Sequence, residues 1–478
     1  MITRSIRVPP LAEEFASADL GDRRRTGRLQ MIAELMEVSP ARSFPRAMGS
    51  TAALEALYRF LNNSGFDAAD ICAPHCGETL KRARAAKTVI AIHDSTHVEY
   101  GARRMDLGPT TGANHFGFIA HAAVLIDEKQ GLPLGVGYLE TLKRTGKKWR
   151  KRNREGQRGQ VHSADKTRES LRWMRGIDAI EGQRSGEFEV VHVTDAEGDF
   201  FELLAQLSKN ETRFVIRAGQ LDRVVLIGSE QKSLRSIADS VAPMARREIE
   251  LSERKHPRRT NIAKVKRHPA RRARIAKLAI GTTRITLKKT RYSDAEAAPF
   301  ELSMVRVWEP KPPRGEPAVE WILLTNEHCA DKSDLARVVD IYRRRWVIEE
   351  YFKALKSGCA LEKRQIESYA ALTKVLALFV PIAYRLLLLR GLERLDSEAE
   401  ANRAFDSIDI KLMANAPANR GSKPPKSLAD AMQCIARMGG HIKNNGPPGW
   451  QTLAWGYEQL LSLRLGWELA FAEKSDQS

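Results

Sequence analysis

Cysteine is scarce in this chain: five residues in 478, scattered at Cys72, Cys76, Cys329, Cys359 and Cys434. Thiols so few and so far apart cannot build a disulfide framework, which excludes the stapled secreted class. Cys72 and Cys76 flank His75, but no second ligand pair follows, so a zinc site is not expected. Long apolar runs are missing too. The most apolar window, residues 375–384, contains Pro381 and is bounded by Lys374 and Arg385. It falls short of the roughly 20 residues a membrane span needs and reads as a buried helix. The first fifteen residues hold no apolar core of signal-peptide length, and a reducing cytoplasm is the expected setting. Acid is in deficit: 59 Asp and Glu against 78 Lys and Arg leave +19 at pH 7. Such an excess favours a polyanionic partner, most simply nucleic acid, because each neutralised phosphate releases counterions. Hydrophobic residues make up 42% of the chain, enough to bury real cores, and at ~150 residues per domain the length suggests about three domains.

Residues 1–70 read as helices. RRRTGRLQMIAELM places Leu29, Ile32, Ala33 and Met36 at 3–4 spacing, and TAALEALYRFLNN forms a second helix closed by polar residues and Gly. Arg23, Arg24, Arg25 and Arg28 fit a phosphate-contacting first turn; a solvated charged face is the alternative. Strand signals follow in TVIAIHD (88–94), GFIAHAAVLID (117–127) and GLPLGVGYLE (131–140), then a basic loop at 143–158. A helix at 163–177, strand EVVHVTD (189–195), helix 200–210 and strand RFVIRA (213–218) complete a mixed α/β pattern of the ribonuclease H kind. From about 219 to 325 the chain is β-rich and basic, with twelve Lys or Arg against three Glu between Arg246 and Arg274. A nucleic-acid groove is the favoured reading of that run. One long helix is expected over 331–357, and helices from 370 onward, interrupted at 415–427 and 444–450.

Asp94 and Asp195 lie where apolar strands run out into polar residues, where open α/β sheets carry ligand chemistry. Two such carboxylates and a third from a helix make a hard oxygen set suited to Mg²⁺, with two ions ~3.5–4 Å apart serving a phosphodiester. A helix-capping Asp is the competing reading of each acid alone. On a continuous helix through IYRRRWVIEEYFKALKSG, at ~100° per residue, Tyr342, Arg345, Glu349 and Lys356 fall within an arc of about 60°. That face suits metal and phosphate; it also suits an ordinary salt-bridged surface.

These residues carry a resemblance. Asp94, Asp195 and Glu349, with the spacing Tyr342-x2-Arg345-x3-Glu349-x6-Lys356, resemble the DDE transposases of bacterial insertion sequences, in the insertion-sequence-four group. LGDRRRTGRL, YRFLNN, HDST, DAEGDF, RFVIR, RITLKK, WILLT and VVDIYRRRWVIEEYFKALKSG extend it over nearly the whole chain. The resemblance implies an N-terminal helical end-binding domain (1–70), a ribonuclease H-like catalytic core (71–370) with a β-rich insertion (219–325), and a C-terminal helical dimerisation region (371–478). It implies an enzyme that binds transposon terminal repeats as a homodimer on double-stranded DNA. Such an enzyme cuts through a hairpin intermediate with two Mg²⁺ ions (Mn²⁺ as substitute) and joins the 3′-hydroxyl ends to target DNA. Asp94, Asp195 and Glu349 match the metal ligands, and Tyr342, Arg345 and Lys356 the phosphate-holding signature. Trp321 matches a tryptophan that stacks a flipped base, and Arg217 a DNA-contacting arginine. Lys353 and Arg364 are further DNA contacts, and Arg24, Arg25 and Arg28 match end-binding positions.

The loop after Asp94 and the loop at 143–158 depart from the pattern, so target preference does not transfer. His93 and His121 read as packing groups and Glu197 as a helix-start residue. Two other functions fit the same charge and acids: a ribonuclease H-like nuclease without strand transfer, and a catalytically inactive DNA-binding regulator.

Overall fold

The computed structural model describes residues 11–39, 42–101, 104, 106–110, 115–144, 168–254, 270–289, 298–442 and 446–475. Most of the basic loop 143–158 and the middle of the basic run 246–274 lie outside the described residues.

In chain order, α1 (Leu11–Glu14), α2 (Arg23–Val38), α3 (Phe44–Met48), α4 (Thr51–Leu61) and α5 (Ala68–Ala86) precede β1 (Thr88–Glu99), β2 (Gly108–Pro109), β3 (Phe116–Asp127) and β4 (Pro133–Leu142). Next come α6 (Arg172–Arg184), β5 (Glu189–Thr194), α7 (Phe201–Lys209), β6 (Phe214–Arg217), β7 (Val224–Ile227), β8 (Glu230–Ser233) and α8 (Leu234–Ser240). Strands β9 (Ala245–Leu251), β10 (Arg274–Leu287), β11 (Phe300–Trp308) and β12 (Glu320–Thr325) lead to α9 (Lys332–Arg343) and α10 (Trp346–Lys353). The chain ends in α11 (Tyr369–Leu395), α12 (Ser407–Asn415), α13 (Leu428–Met438) and α14 (Trp450–Ser475).

Local chemistry starts the helices where the sequence says it should. The Asp22 carboxylate accepts the Arg24 amide and begins α2, which buries Leu29, Ile32, Ala33 and Met36, the four positions of its apolar stripe. Asp67 and Asp70 form a capping box at the start of α5, and Pro74 lies inside that helix.

Compactness groups the chain into two units: residues 1–148, 178–189 and 346–478, and residues 149–177 and 190–345. In the first, β1 pairs antiparallel with β3 from Val89 opposite Asp127 to Glu99 opposite Gly117, and β3 pairs also with β4 and β2. Helix α5 packs on β4, and α11 packs on both. Because α11 is apolar on every side, it is a core helix. It is long and apolar enough to cross a membrane, which corrects the expectation that the stretch around 375–384 falls short of a span, but its apolar window is entirely buried, in keeping with the buried-helix reading.

Buried polar groups bind residues 11–65 into this unit. Glu14 on α1 is 1% exposed; its carboxylate meets His75 Nδ1 at 2.6 Å and Arg82 at 2.8 Å. His75 Nε2 in turn accepts the Val136 amide of β4 at 3.1 Å. Arg385 of α11 pairs with Glu37 of α2 and donates to the Tyr457 hydroxyl at 3.0 Å. Lys374, also on α11, donates to the carbonyls of Leu61 and Asn63 at the end of α4.

In the second unit β5 runs parallel to β6, and β6 is antiparallel to β12, with Ile216 opposite Leu324. Beyond β12 lie β11, β10, β7 and β8 in that order, and β9 also pairs with β10. The strands expected at 219–325 thus extend the β5–β6 sheet. Trp173, Phe201, Leu204, Phe214, Ile216, Met304 and Leu324 pack into one core beside it.

Candidate functional site

The sequence-derived candidates fall in both units. In the first unit, Asp94 does not end its strand: β1 continues to Glu99, and Asp94 stands opposite Ala122 of β3. What changes at Asp94 is burial. Val89 to His93 are buried, whereas Asp94 to His97 are half-buried, so the pleat reaches water without the strand stopping. One Asp94 oxygen accepts the Ser95 amide at 2.7 Å. Beneath it the fully buried His93 and His121 rings stack at 6.0 Å, and Ser95 Oγ lies 2.9 Å from His121 Nδ1. Glu349 is half-buried in the first turn of α10, which packs on β1.

The continuous helix expected over 331–357 is a correction. The chain leaves helix α9 at Arg343, passes through Arg344 and Arg345, and restarts as α10 at Trp346. Residues Ala354–Gly358 then form a π-helical turn. No single continuous helix therefore carries Tyr342, Arg345, Glu349 and Lys356. Neither Gly nor Pro marks the break at Arg344 and Arg345, so packing imposes it against local propensity.

In the second unit five candidates converge. Asp195 follows β5, half-buried, and accepts the Glu197 amide at 2.9 Å, capping a short 3₁₀ turn; it fits the capping reading and the ligand reading at once. Tyr342 is 5% exposed. Burial pushes its phenol above the ordinary value; the guanidinium groups of Arg345 and Arg217 oppose that rise, and the Asp195 carboxylate adds to it. One phenol thus senses Arg345, Arg217 and Asp195 together. The Trp321 ring lies 5.7 Å from the Tyr342 ring, tilted by 58°, and Arg217 ends β6 with its side chain exposed, opposite Leu323 of β12.

Several expected DNA contacts are placed elsewhere. Arg364 is 4% exposed. Its guanidinium donates to the Arg42 and Cys359 carbonyls and sits 4.8 Å from the Phe44 ring and 4.7 Å from the Phe379 ring. Burial lowers its pKa to about 10. Its guanidinium is thus engaged inside the protein, as a structural clamp. Arg25 donates to the Leu20 carbonyl at 2.9 Å and lies over the Phe66 ring at 5.9 Å, so it fastens α2 to the α4–α5 loop. Arg24 is exposed, and Arg28 lies half-buried beside the Met31 sulfur at 3.4 Å. Lys353 is exposed, its Nζ 5.1 Å from the Trp346 ring. Lys356 donates to the His97 carbonyl and pairs with Glu362 at 3.0 Å. Sequence reasoning passed over Glu362, because no spacing rule links a residue in a short turn to a lysine six positions earlier.

Among the described residues no group of three or more His, Cys, Asp or Glu side chains stands gathered to hold a metal ion. Taken singly, the first unit carries Asp94 and Glu349 and the second Asp195. Their chemistry is nonetheless of one kind: half-buried carboxylates with hard oxygen donors, the donor type of Mg²⁺ rather than of soft ions.

A half-buried carboxylate just past a buried strand, with two arginines and an aromatic pair around it, points to the class of proteins that handle nucleic-acid phosphates. The family comparison makes that class specific. Residues 10–65 match the transposase DNA-binding family, and residues 85–380, more than half of the chain, match the transposase DDE domain. The chain belongs to the transposase DDE domain family and is a DNA transposase; domains of this family generally use divalent metal ions.

Proposed function

We propose that this transposase cuts and joins DNA ends as the insertion-sequence-four group does, with Asp94, Asp195 and Glu349 as the carboxylates that would hold divalent cations. The gathering of Asp195, Arg217, Trp321, Tyr342 and Arg345 in one unit carries this reading. Bound between such carboxylates, Mg²⁺ (or Mn²⁺) would activate a water or 3′-hydroxyl and offset charge on the leaving oxygen.

The chain's own groups do the rest. Arg217 and Arg345 offer planar donors to phosphate oxygens, and the Tyr342 phenol, protonated because it is buried, adds another donor. Trp321 offers an aromatic face on which a flipped base stacks, a contact worth roughly 1–3 kcal/mol; this supports a hairpin route. Residues 10–65 supply end recognition through Arg24 and Arg28, and the C-terminal helices the homodimer contact. A ribonuclease H-like core and a bacterial cytoplasmic, nucleoid-associated setting complete the proposal.

The test is cleavage of a labelled duplex carrying the repeats that flank the gene, with Mg²⁺, resolved on a denaturing gel. Asp94→Ala, Asp195→Ala and Glu349→Ala each remove nicking and hairpin while leaving end binding; unchanged cleavage in any of them sinks that residue's role. Pre-cut 3′-hydroxyl ends offered a target plasmid give joined products; nicks alone would favour the nuclease reading.

A further inference from the structure

Lys356 is aimed by more than its place in the chain. Its ammonium donates to the His97 carbonyl of β1 and to Glu362 Oε1, the latter at 3.0 Å. The same Glu362 oxygen accepts the Glu99 amide of β1 at 3.1 Å. One carboxylate oxygen thus ties the lysine to the strand that bears Asp94.

Two uncommon backbone conformations produce this meeting. Lys356 lies in the π-helical turn 354–358, and π turns occur frequently at functional sites. Ala360 adopts a left-handed conformation with φ +49°, unusual for a residue with a Cβ, and starts the 3₁₀ turn Leu361–Lys363 that delivers Glu362. Local strain of this sort persists only where the surrounding structure enforces it. An ammonium has three N–H groups. His97 and Glu362 direct two of them, leaving a third for an anion. The Lys356 and Glu362 side chains are 27% and 33% exposed, so a phosphate can reach the pair.

We propose that Glu362 is a positioning residue for DNA cleavage: it orients the Lys356 ammonium toward the scissile region and acts only through that lysine. The inference rests on the reading of Lys356 as a phosphate holder. An ion pair open to solvent on one side contributes little to stability, so removing it leaves the fold in place and makes cleavage rate the reporter.

The experiment is single-turnover cleavage by the full chain of a duplex carrying the flanking repeat, with Mg²⁺ and saturating protein. Glu362→Ala slows cleavage by about 10- to 100-fold, the scale of a misplaced reacting group, while a gel shift without divalent metal shows unchanged end binding. Glu362→Gln, which keeps an acceptor oxygen for both donors, restores most of the rate. The double variant Lys356→Ala/Glu362→Ala is no slower than Lys356→Ala, since both changes remove one interaction. Additive losses in the double variant, or a wild-type rate in Glu362→Ala, overturn the role of Glu362 and leave Lys356 standing. Faster cleavage by either Glu362 variant overturns it as well, because the carboxylate then competes with phosphate. A wild-type rate in Lys356→Ala removes the reading of the lysine itself, and Glu362 with it.

Discussion

Replacing Glu14 by Ala tests how residues 11–65 are joined to the rest of their unit. Burial alone would raise the pKa of this carboxyl, but the hydrogen bonds and charges of His75 and Arg82 overcome it and hold the value at about 2, against 4.5 when free. At roughly 1.4 kcal/mol per unit, that depression stands for about 3 kcal/mol. Breaking a buried ionic group by removing one member typically costs ~3–5 kcal/mol. Both figures describe the same loss, with Arg82 and His75 Nδ1–H left facing a cavity. About 3 kcal/mol corresponds to roughly 100-fold faster amide exchange through local opening. Hydrogen exchange read by mass spectrometry on peptides covering α1 and α5 measures it directly. The pH dependence follows the same groups. Glu14 stabilises the fold fully above 4.5 and progressively less as pH falls toward 2. At pH 7 His75 is neutral, because burial lowers its pKa below 6.5 and its Nε2 already accepts the Val136 amide. The unfolded chain therefore takes up that proton first, and stability falls as pH drops below 6.5. Once the slower intrinsic exchange at lower pH is divided out, the protection of α5 should fall between pH 7 and 5 in the wild type. If Glu14→Ala exchanges like the wild type at pH 7, the network is ornamental and the reasoning is wrong.

Two further outcomes are expected. Arg364→Ala leaves the Arg42 and Cys359 carbonyls without their donor, at about 1–3 kcal/mol for each buried group; urea denaturation should show the loss, and Arg364→Lys should not fully repair it because an ammonium lacks the planar fork. Weakened end binding at unchanged stability would instead return Arg364 to the DNA surface. Binding of the flanking repeats should fall steeply with salt on a log–log plot, as expected for many phosphate contacts; a flat slope would count against the basic stretches lying on DNA.

Much of the fold was legible locally. The 3–4 spacing of Leu29, Ile32, Ala33 and Met36 identified the buried face of α2, and short apolar runs located β1, β3 and β4. The end of β1 was misplaced because a switch from apolar to polar residues reports burial, and a strand keeps its ladder while one stretch meets water. The helix wheel failed between Arg343 and Trp346 because helical periodicity says nothing about where packing breaks the helix. Arginine was the least legible residue. Arg217 and Arg345 reach the phenol of Tyr342, while Arg25 and Arg364 satisfy internal carbonyls, and no local sequence signal separates the two uses. The company of Asp195, Trp321 and Tyr342 came from the resemblance; spacing alone would not have assembled it.

Helix α11 carries a consequence for the way this protein tolerates cutting. Its Lys374 and Arg385 are matched to the ends and flanks of the first helices, so the segment matched to DNA binding is also part of the cover of an apolar rod. A product begun at an internal start codon, or trimmed by a protease after residue 65, would shed recognition and wrapping in a single event. Such a remnant would need a new coat for that rod, from another chain or from aggregation, before it could act at all.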